Sequence, residues 1–185
     1  MFTLSAFAQS PQGVRNFHQV DEHVYRGGQP TDEGFRYLSK IGVKTVVDLR
    51  ASGSRSAAEQ RLVTGLGMRY VSVPMSGLTA PTTAESVKIL GLLEDTTTGP
   101  VFVHCKRGSD RTGAVIGAYR IDHDHWDNAR ALEEAKSLGM RFFQIPRANY
   151  IRTFQARTLE ASASNSSEAK AASATPAAAV TAAVQ

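Results

Sequence analysis

Residues 101–120, VFVHCKRGSDRTGAVIGAYR, constrain the fold more than any other part of the chain. A continuous apolar run ends at His104 and Cys105, a charged loop with one glycine follows, and a helical pattern starts at about Thr112. A strand that is apolar without alternation is covered on both faces, as parallel strands are. The same strand–helix rhythm recurs along the chain. A short strand is expected near residues 24–26, then a helix capped by Thr31, with Asp32 and Glu33 in its first turn and Gly42 at its end. Residues 44–50 and 68–74 read as strands, separated by a helix from about Ser56 to Gly67. Val87, Leu90 and Leu93 give residues 84–94 helical spacing. Beyond the charged loop, Asp127 and Gly139 bracket another helix, a last one starts near Ala148, and RGGQP (residues 26–30) reads as a turn. Repeated units of this kind imply right-handed crossovers and an α/β fold, a mostly parallel central sheet flanked by helices. Ligands of such sheets bind beyond the C-terminal strand ends, and Cys105 lies just past one.

Length and composition narrow the function. At 185 residues, with 42% apolar and 21% charged residues, the chain has room for one globular domain. The net charge of +4 suits a phosphate-bearing ligand, while the lack of a basic stripe interleaved with aromatics argues against nucleic acid. No run of 18 apolar residues offers a membrane span, and a single cysteine rules out a disulfide framework. We divide the chain into an N-terminal segment, 1–15, a domain, 16–160, and an Ala/Ser-rich tail, 161–185, expected to be disordered. Ala6-Phe7-Ala8 before Gln9 resembles the end of a secretory signal peptide, but only five residues precede it. A chance match implies a cytoplasmic protein, and a longer upstream leader implies export. Oligomeric state is not readable from the sequence.

The loop 105–112 carries the chemistry. A turn from Lys106 through Arg107, Gly108 and Ser109 to Asp110 can aim backbone N–H groups inward at an anion, with a helix N-terminus behind them. Gly108 supplies the φ freedom, and Arg111 a planar fork matched to two phosphate oxygens. The same field acts on the thiol. A helix terminus is worth up to about 2 kcal/mol, enough to bring an ordinary thiol pKa of about 8.5 only to near neutrality. Inward N–H groups and Arg111 must supply the rest.

HCKRGSDRTG matches a His-Cys-x5-Arg-Thr signature, and the chain thereby resembles the cysteine-dependent protein tyrosine and dual-specificity phosphatases. Its Cys-Lys-Arg-Gly opening is similar to the atypical dual-specificity phosphatases of plants and fungi, some of which act on inositol pyrophosphates. VYRGGQP, GVKTVVDLR and AKSLGM look like small bacterial relatives of that group, and the resemblance spans about residues 20–154. It implies a three-layer phosphatase fold, a phosphorylated protein or small molecule as substrate, and no cofactor or metal. It also implies that Cys105 attacks phosphorus, Arg111 clamps the equatorial oxygens, His104 orients the loop and Thr112 bonds the leaving thiolate.

The resemblance breaks at the general acid. The expected loop, PMSGLTAPTT (residues 74–83), holds no carboxylate, and Glu85 lies inside the next helix. Asp110 completes a Cys-x-x-Gly-x-Asp-Arg-Thr pattern similar to myotubularin lipid phosphatases, so it is taken either as proton donor or as a brace of the loop. Lys106 and Arg107 read as substrate contacts or a solvated rim, and Asp48 and Arg50 as a structural pair. DHDHWD (residues 122–127) carries only a faint metal-ligand pattern. Sulfur transfer and a silent phosphate-binding module are the competing functions. The first does not account for Arg111 and Thr112, and the second does not account for an intact Cys105 with Arg111.

Overall fold

The computed structural model describes residues 13–157. Residues 13–155 fall in one compact unit, and residues 156 and 157 belong to a second. The signal-like segment and the Ala/Ser tail therefore lie outside the described residues, apart from residues 13–15.

Five strands form one sheet: β1 (His18–Gln19), β2 (Val24–Gly28), β3 (Thr45–Asp48), β4 (Arg69–Ser72) and β5 (Val101–Cys105). Their spatial order is β1-β2-β5-β3-β4, and only the β1–β2 pair is antiparallel. Six α-helices accompany them: α1 (Asp32–Lys40), α2 (Ser54–Gly65), α3 (Thr83–Glu94), α4 (Asp110–Asp122), α5 (Asn128–Ser137) and α6 (Ile145–Thr153). The α/β class with a mostly parallel sheet thus holds.

Period-2 alternation divides the central strand between two cores. Val101, Val103 and Cys105 join Ile89, Leu90, Ile116 and Tyr119 of α3 and α4 on one face. Phe102 packs with Phe35, Leu38 and Val63 of α1 and α2 on the other. Helix α4 is buried almost throughout, so it lacks an amphipathic stripe. Its Gly113 and Gly117 let α5 and α6 close over it: a Cβ at 117 would stand 2.9 Å from Ile151 Cδ1. Ile151 is fully buried, with Tyr150 and Phe154 packed beside it.

Most helix ends fall where capping chemistry put them. Thr31 accepts from the Gly34 N–H at 3.2 Å, and Asp127 from the Arg130 N–H at 2.8 Å. Three readings need correction. RGG is the end of strand β2 rather than a turn, because its backbone pairs with His104 and Cys105. Helix α4 starts at Asp110, two residues early, and α6 at Ile145, where Pro146 is accommodated in the first turn. The two-residue β1 has too little sequence to show a period.

The loop 105–112 is fastened to the end of β2 by backbone contact. Gly108 has φ +75°, and a Cβ there would fall 2.4 Å from the Gly27 carbonyl carbon. A Cβ on Gly28 would fall 2.9 Å from the Arg107 carbonyl carbon. Gly28→Ala should therefore displace the loop. Overpacking of this kind costs about 1–3 kcal/mol, whereas a misplaced reacting group can cost about a hundredfold in rate. We expect thermal unfolding to show a modest loss and assays of the expected phosphatase activity a large one.

Candidate active site

Cys105 ends the central strand, and the parallel strands on either side bring their own C-terminal extensions to it. The extension of β2 contributes Gln29, that of β3 Arg50 and Ala51, and the loop itself Lys106, Arg107 and Arg111. With Arg15 and Arg55 these line one cavity of about 620 Å³. Six of its eight lining residues are cationic and none is a carboxylate.

The thiol is 2% exposed. Burial pushes its pKa up, but the Thr112 hydroxyl and N–H, the Arg107 N–H and the charge of Arg111 outweigh it. The net shift is downward from the ordinary 9.0. The Thr112 hydroxyl is fully buried and has no nitrogen or oxygen partner, which leaves it to the sulfur. Arg111 reaches back to the Leu49 carbonyl at 3.0 Å, which holds its guanidinium at the end of β3. Among the described residues it has no ion-pair partner.

His104 points to the opposite face of the sheet. Its ring stacks on Phe102, 5.5 Å between centroids, and Nε2 lies 2.8 Å from Glu59 Oε1. Its route to the thiol is therefore through the backbone of the loop. Glu59, on α2, was not legible as a site residue: its side chain is 3% exposed, yet it also accepts from Gln29 Nε2 at 2.7 Å and from Arg50 Nη2. Arg50 bonds both oxygens of fully buried Asp48, at 2.9 and 2.8 Å, and Tyr70 adds a third bond at 2.8 Å. Burial opposes ionisation of Asp48, but the bonds from Arg50, the nearby His104 and the bond from Tyr70 together outweigh it and hold the carboxyl below its ordinary 3.8. The structural reading of Asp48 and Arg50 fits these contacts, with Arg50 also presenting to the cavity.

Asp110 is not aimed at the cavity. Its Oδ1 accepts from the Arg141 N–H at 3.1 Å, and Oδ2 from Arg141 Nε and Nη2 at 3.0 and 2.5 Å. Both oxygens are thus engaged in bracing the α5–α6 turn. Glu85 is likewise committed: its Oε2 accepts from the Thr82 N–H at 2.7 Å and closes a capping box on α3. Ser109 is buried at the N-cap of α4 without a side-chain capping bond. Asp21, His123 and Asp124 do cluster, but Tyr119 bonds Asp21 at 2.8 Å and Arg120 bonds Asp124 at 2.7 Å.

Sequence reasoning missed two buried arginines. Arg26 is 1% exposed and donates from Nη2 to the Gly108 carbonyl at 2.8 Å. Arg147, fully buried, holds the Ser76 and Gly77 carbonyls at 2.6 and 3.0 Å. It thereby fixes the loop where the family's acid was expected. Burial, then the nearby Arg111, lowers its pKa. A charge in the apolar run VYRGG was the available signal for Arg26; nothing in the sequence marked Arg147.

Glu59→Ala would leave His104, Arg50 and Gln29 without their shared acceptor. Breaking a buried pair by removing one partner costs about 3–5 kcal/mol, and urea unfolding should show a loss of that size. Because Asp48 titrates below its ordinary value, its share of network stability is complete above about pH 4. That share should be lost only as the pH falls further.

Comparison with known proteins agrees with this geometry. A family model described as "DSP-PTPase phosphatase fused to NAD+ Kinase" matches residues 7–153. The dual specificity protein phosphatase TpbA of Pseudomonas aeruginosa is 31% identical over 138 residues, covering 72% of this chain and 59% of that protein. The chain therefore spans about three fifths of the length of that relative. The inositol diphosphatase DSP3 of Arabidopsis thaliana is 27% identical over 149 residues, covering 78% of this chain and 72% of the relative. The crystal structure of P. aeruginosa TpbA superposes with a TM-score of 0.65 at 27% identity, covering 77% of this chain and 91% of that one. The core catalytic domain of the PP-IP phosphatase SIW14 of S. cerevisiae shares the fold, with a TM-score of 0.72 at 23% identity and coverage of 85% and 96%. The match of the family model over most of the chain, with relatives and a shared fold of the same kind, shows that the chain belongs to the dual-specificity and protein tyrosine phosphatase family.

Proposed function

We propose that the protein is a phosphohydrolase working through a phosphocysteine on Cys105, and that its preferred substrates are compact polyanions bearing a terminal phosphate on a good leaving group. The observation that carries this reading is the cavity wall of Arg15, Arg50, Arg55, Lys106, Arg107 and Arg111 without a carboxylate. Only Arg50 is ion-paired among the described residues. The other five cations are available to a substrate with several phosphates.

In the first step the Cys105 thiolate forms an S–P bond as the bond to the leaving oxygen breaks, and that oxygen takes the electron pair. Arg111 and the loop N–H groups balance charge on the equatorial oxygens, which is where such transition states carry it. In the second step water attacks phosphorus, the S–P bond breaks, inorganic phosphate departs and Thr112 receives the thiolate. Because the thiol pKa is lowered, more of the nucleophile is ionised at a given pH, and turnover should rise with pH through a midpoint below 9.0.

The leaving group follows from the missing acid. An alkyl alcohol needs a proton to depart, and general acids are worth about 10²–10⁴-fold there. A phosphate leaving from a diphosphate does not, since its last proton is lost near pH 6, by analogy with about 6 for phosphoserine. Phosphotyrosine is the second reading, favoured by likeness to TpbA and by a phenol's intermediate leaving ability. A panel of a diphosphoinositol polyphosphate, a phosphotyrosine peptide and an alkyl monophosphate, run under reducing conditions, separates these. We expect that order of kcat/KM, abolition of all three activities by Cys105→Ser, and a selective loss of the first in a Lys106→Ala/Arg107→Ala variant. Equal losses across the panel would remove Lys106 and Arg107 from substrate recognition, and full activity of Cys105→Ser would end the mechanism.

Asp110 gives a separate test. With both oxygens bound by Arg141, Asp110→Asn should slow aryl and alkyl phosphates by the same factor and lower Tm. A penalty confined to alkyl phosphates, with loss of the alkaline limb of the pH profile, would instead identify Asp110 as the proton donor.

A further inference from the structure

Arg26 occupies an inward position of β2, on the same face as Val24, and lies beneath the catalytic loop. Its only hydrogen bond among the described residues goes to the Gly108 carbonyl, while Nε and Nη1 are buried without partners. No carboxylate stands within ion-pair distance of it among those residues. A buried guanidinium without a counter-ion is strongly unfavourable unless an anion completes the site.

The charged and titratable groups that act on Arg26 are few. Glu134 of α5 attracts it, but Arg120 of α4 already binds that carboxylate, from Nη2 at 2.8 Å. Arg120 itself repels Arg26. His18 of β1 is held toward its neutral form by burial and then by Arg26, so it adds little charge. The remaining attraction is Cys105, on the neighbouring strand two residues beyond the register partner of Arg26. Burial lowers Arg26 to about 10, which leaves it charged at neutral pH.

The bond to Gly108 has a geometric consequence. That carbonyl accepts from Arg26 Nη2 at 2.8 Å and also from Asn16 Nδ2 at 3.0 Å. A carbonyl held by two donors outside the cradle cannot turn inward, where its lone pairs would repel a phosphate oxygen. We propose that Arg26 is a positioning residue of the phosphate loop, which holds the Gly108 carbonyl out of the cradle and supplies from below a buried positive charge that the Cys105 thiolate or a bound phosphoryl group balances. The proposal rests on reading Cys105 as the ionised nucleophile of that loop. Arg111 then faces the phosphoryl group, while Arg26 acts on it only through the loop and the field.

Because Cys105 is the only cysteine, alkylation by iodoacetamide followed by mass spectrometry reports its ionisation at one site and without substrate. Two variants separate bond from charge: Arg26→Gln keeps a donor and removes the charge, and Arg26→Lys keeps the charge. In Arg26→Gln we expect the midpoint of alkylation against pH to rise by about one unit, so that the rate at low pH falls about tenfold. Arg26→Lys should keep a midpoint close to that of the unsubstituted protein. A folded Arg26→Gln, judged by its thermal unfolding, with an unshifted midpoint would overturn the proposal. Should Arg26→Gln not fold, Arg26→Lys decides: a raised midpoint there refutes the charge, and an unshifted one supports it. A midpoint at the ordinary thiol value in the unsubstituted protein would sink the reading of Cys105 itself, and the proposal with it, which is a distinct result from a shift missing only in the variants.

Discussion

The close approach of two backbones governs this site. Where β2 ends, Gly27 and Gly28 lie against Arg107 and Gly108 with no room for a Cβ on either side. That contact fixes the height and tilt of the loop relative to the sheet, and hence where its N–H groups and the N-terminus of α4 converge. A phosphate cradle gives its stabilisation only when the donors stand in place before the anion arrives. The rigidity of the loop comes from these glycine contacts together with the Arg26 and Asn16 bonds to the Gly108 carbonyl.

The electrostatics are divided by the sheet. On the α1–α2 side, Asp48 and Glu59 bind Arg50, Tyr70, Gln29 and His104 in one network. On the α4 side, Arg26 and Arg147 are buried against backbone carbonyls without a carboxylate. On the first side the donors meet carboxylates, whereas cations that face carbonyl oxygens leave a positive field at the strand end. Both meet at Cys105, which receives its support from one face and its charge balance from the other.

Asp110 illustrates how one residue changes meaning between sequence and structure. In the sequence it sits beside Arg111 in a pattern where a loop aspartate could give a proton. In the fold it is the first residue of α4, where a negative charge suits the helix dipole, and Arg141 takes both its oxygens. The residue that decides its role lies 31 positions away, in a turn whose sequence carries no signal of the pairing.

The sequence by itself determined the class of fold and the place of the loop that holds Cys105. Continuous apolar strands, capping residues and the order His, Cys, Gly, Arg, Thr are local patterns, and local patterns survive without knowledge of distant neighbours. Tertiary structure alone decided which charges are paired. Arg15, Arg26, Arg55 and Arg147 look alike in a sequence, but two line the cavity and two are buried beneath or beside the loop. Glu59, an ordinary residue of a polar helix, became the acceptor shared by three partners. The reason is physical: a charge acts through a few ångströms of space, and residues 33 positions apart, as Arg26 and Glu59 are, meet opposite faces of one sheet only once the chain has folded.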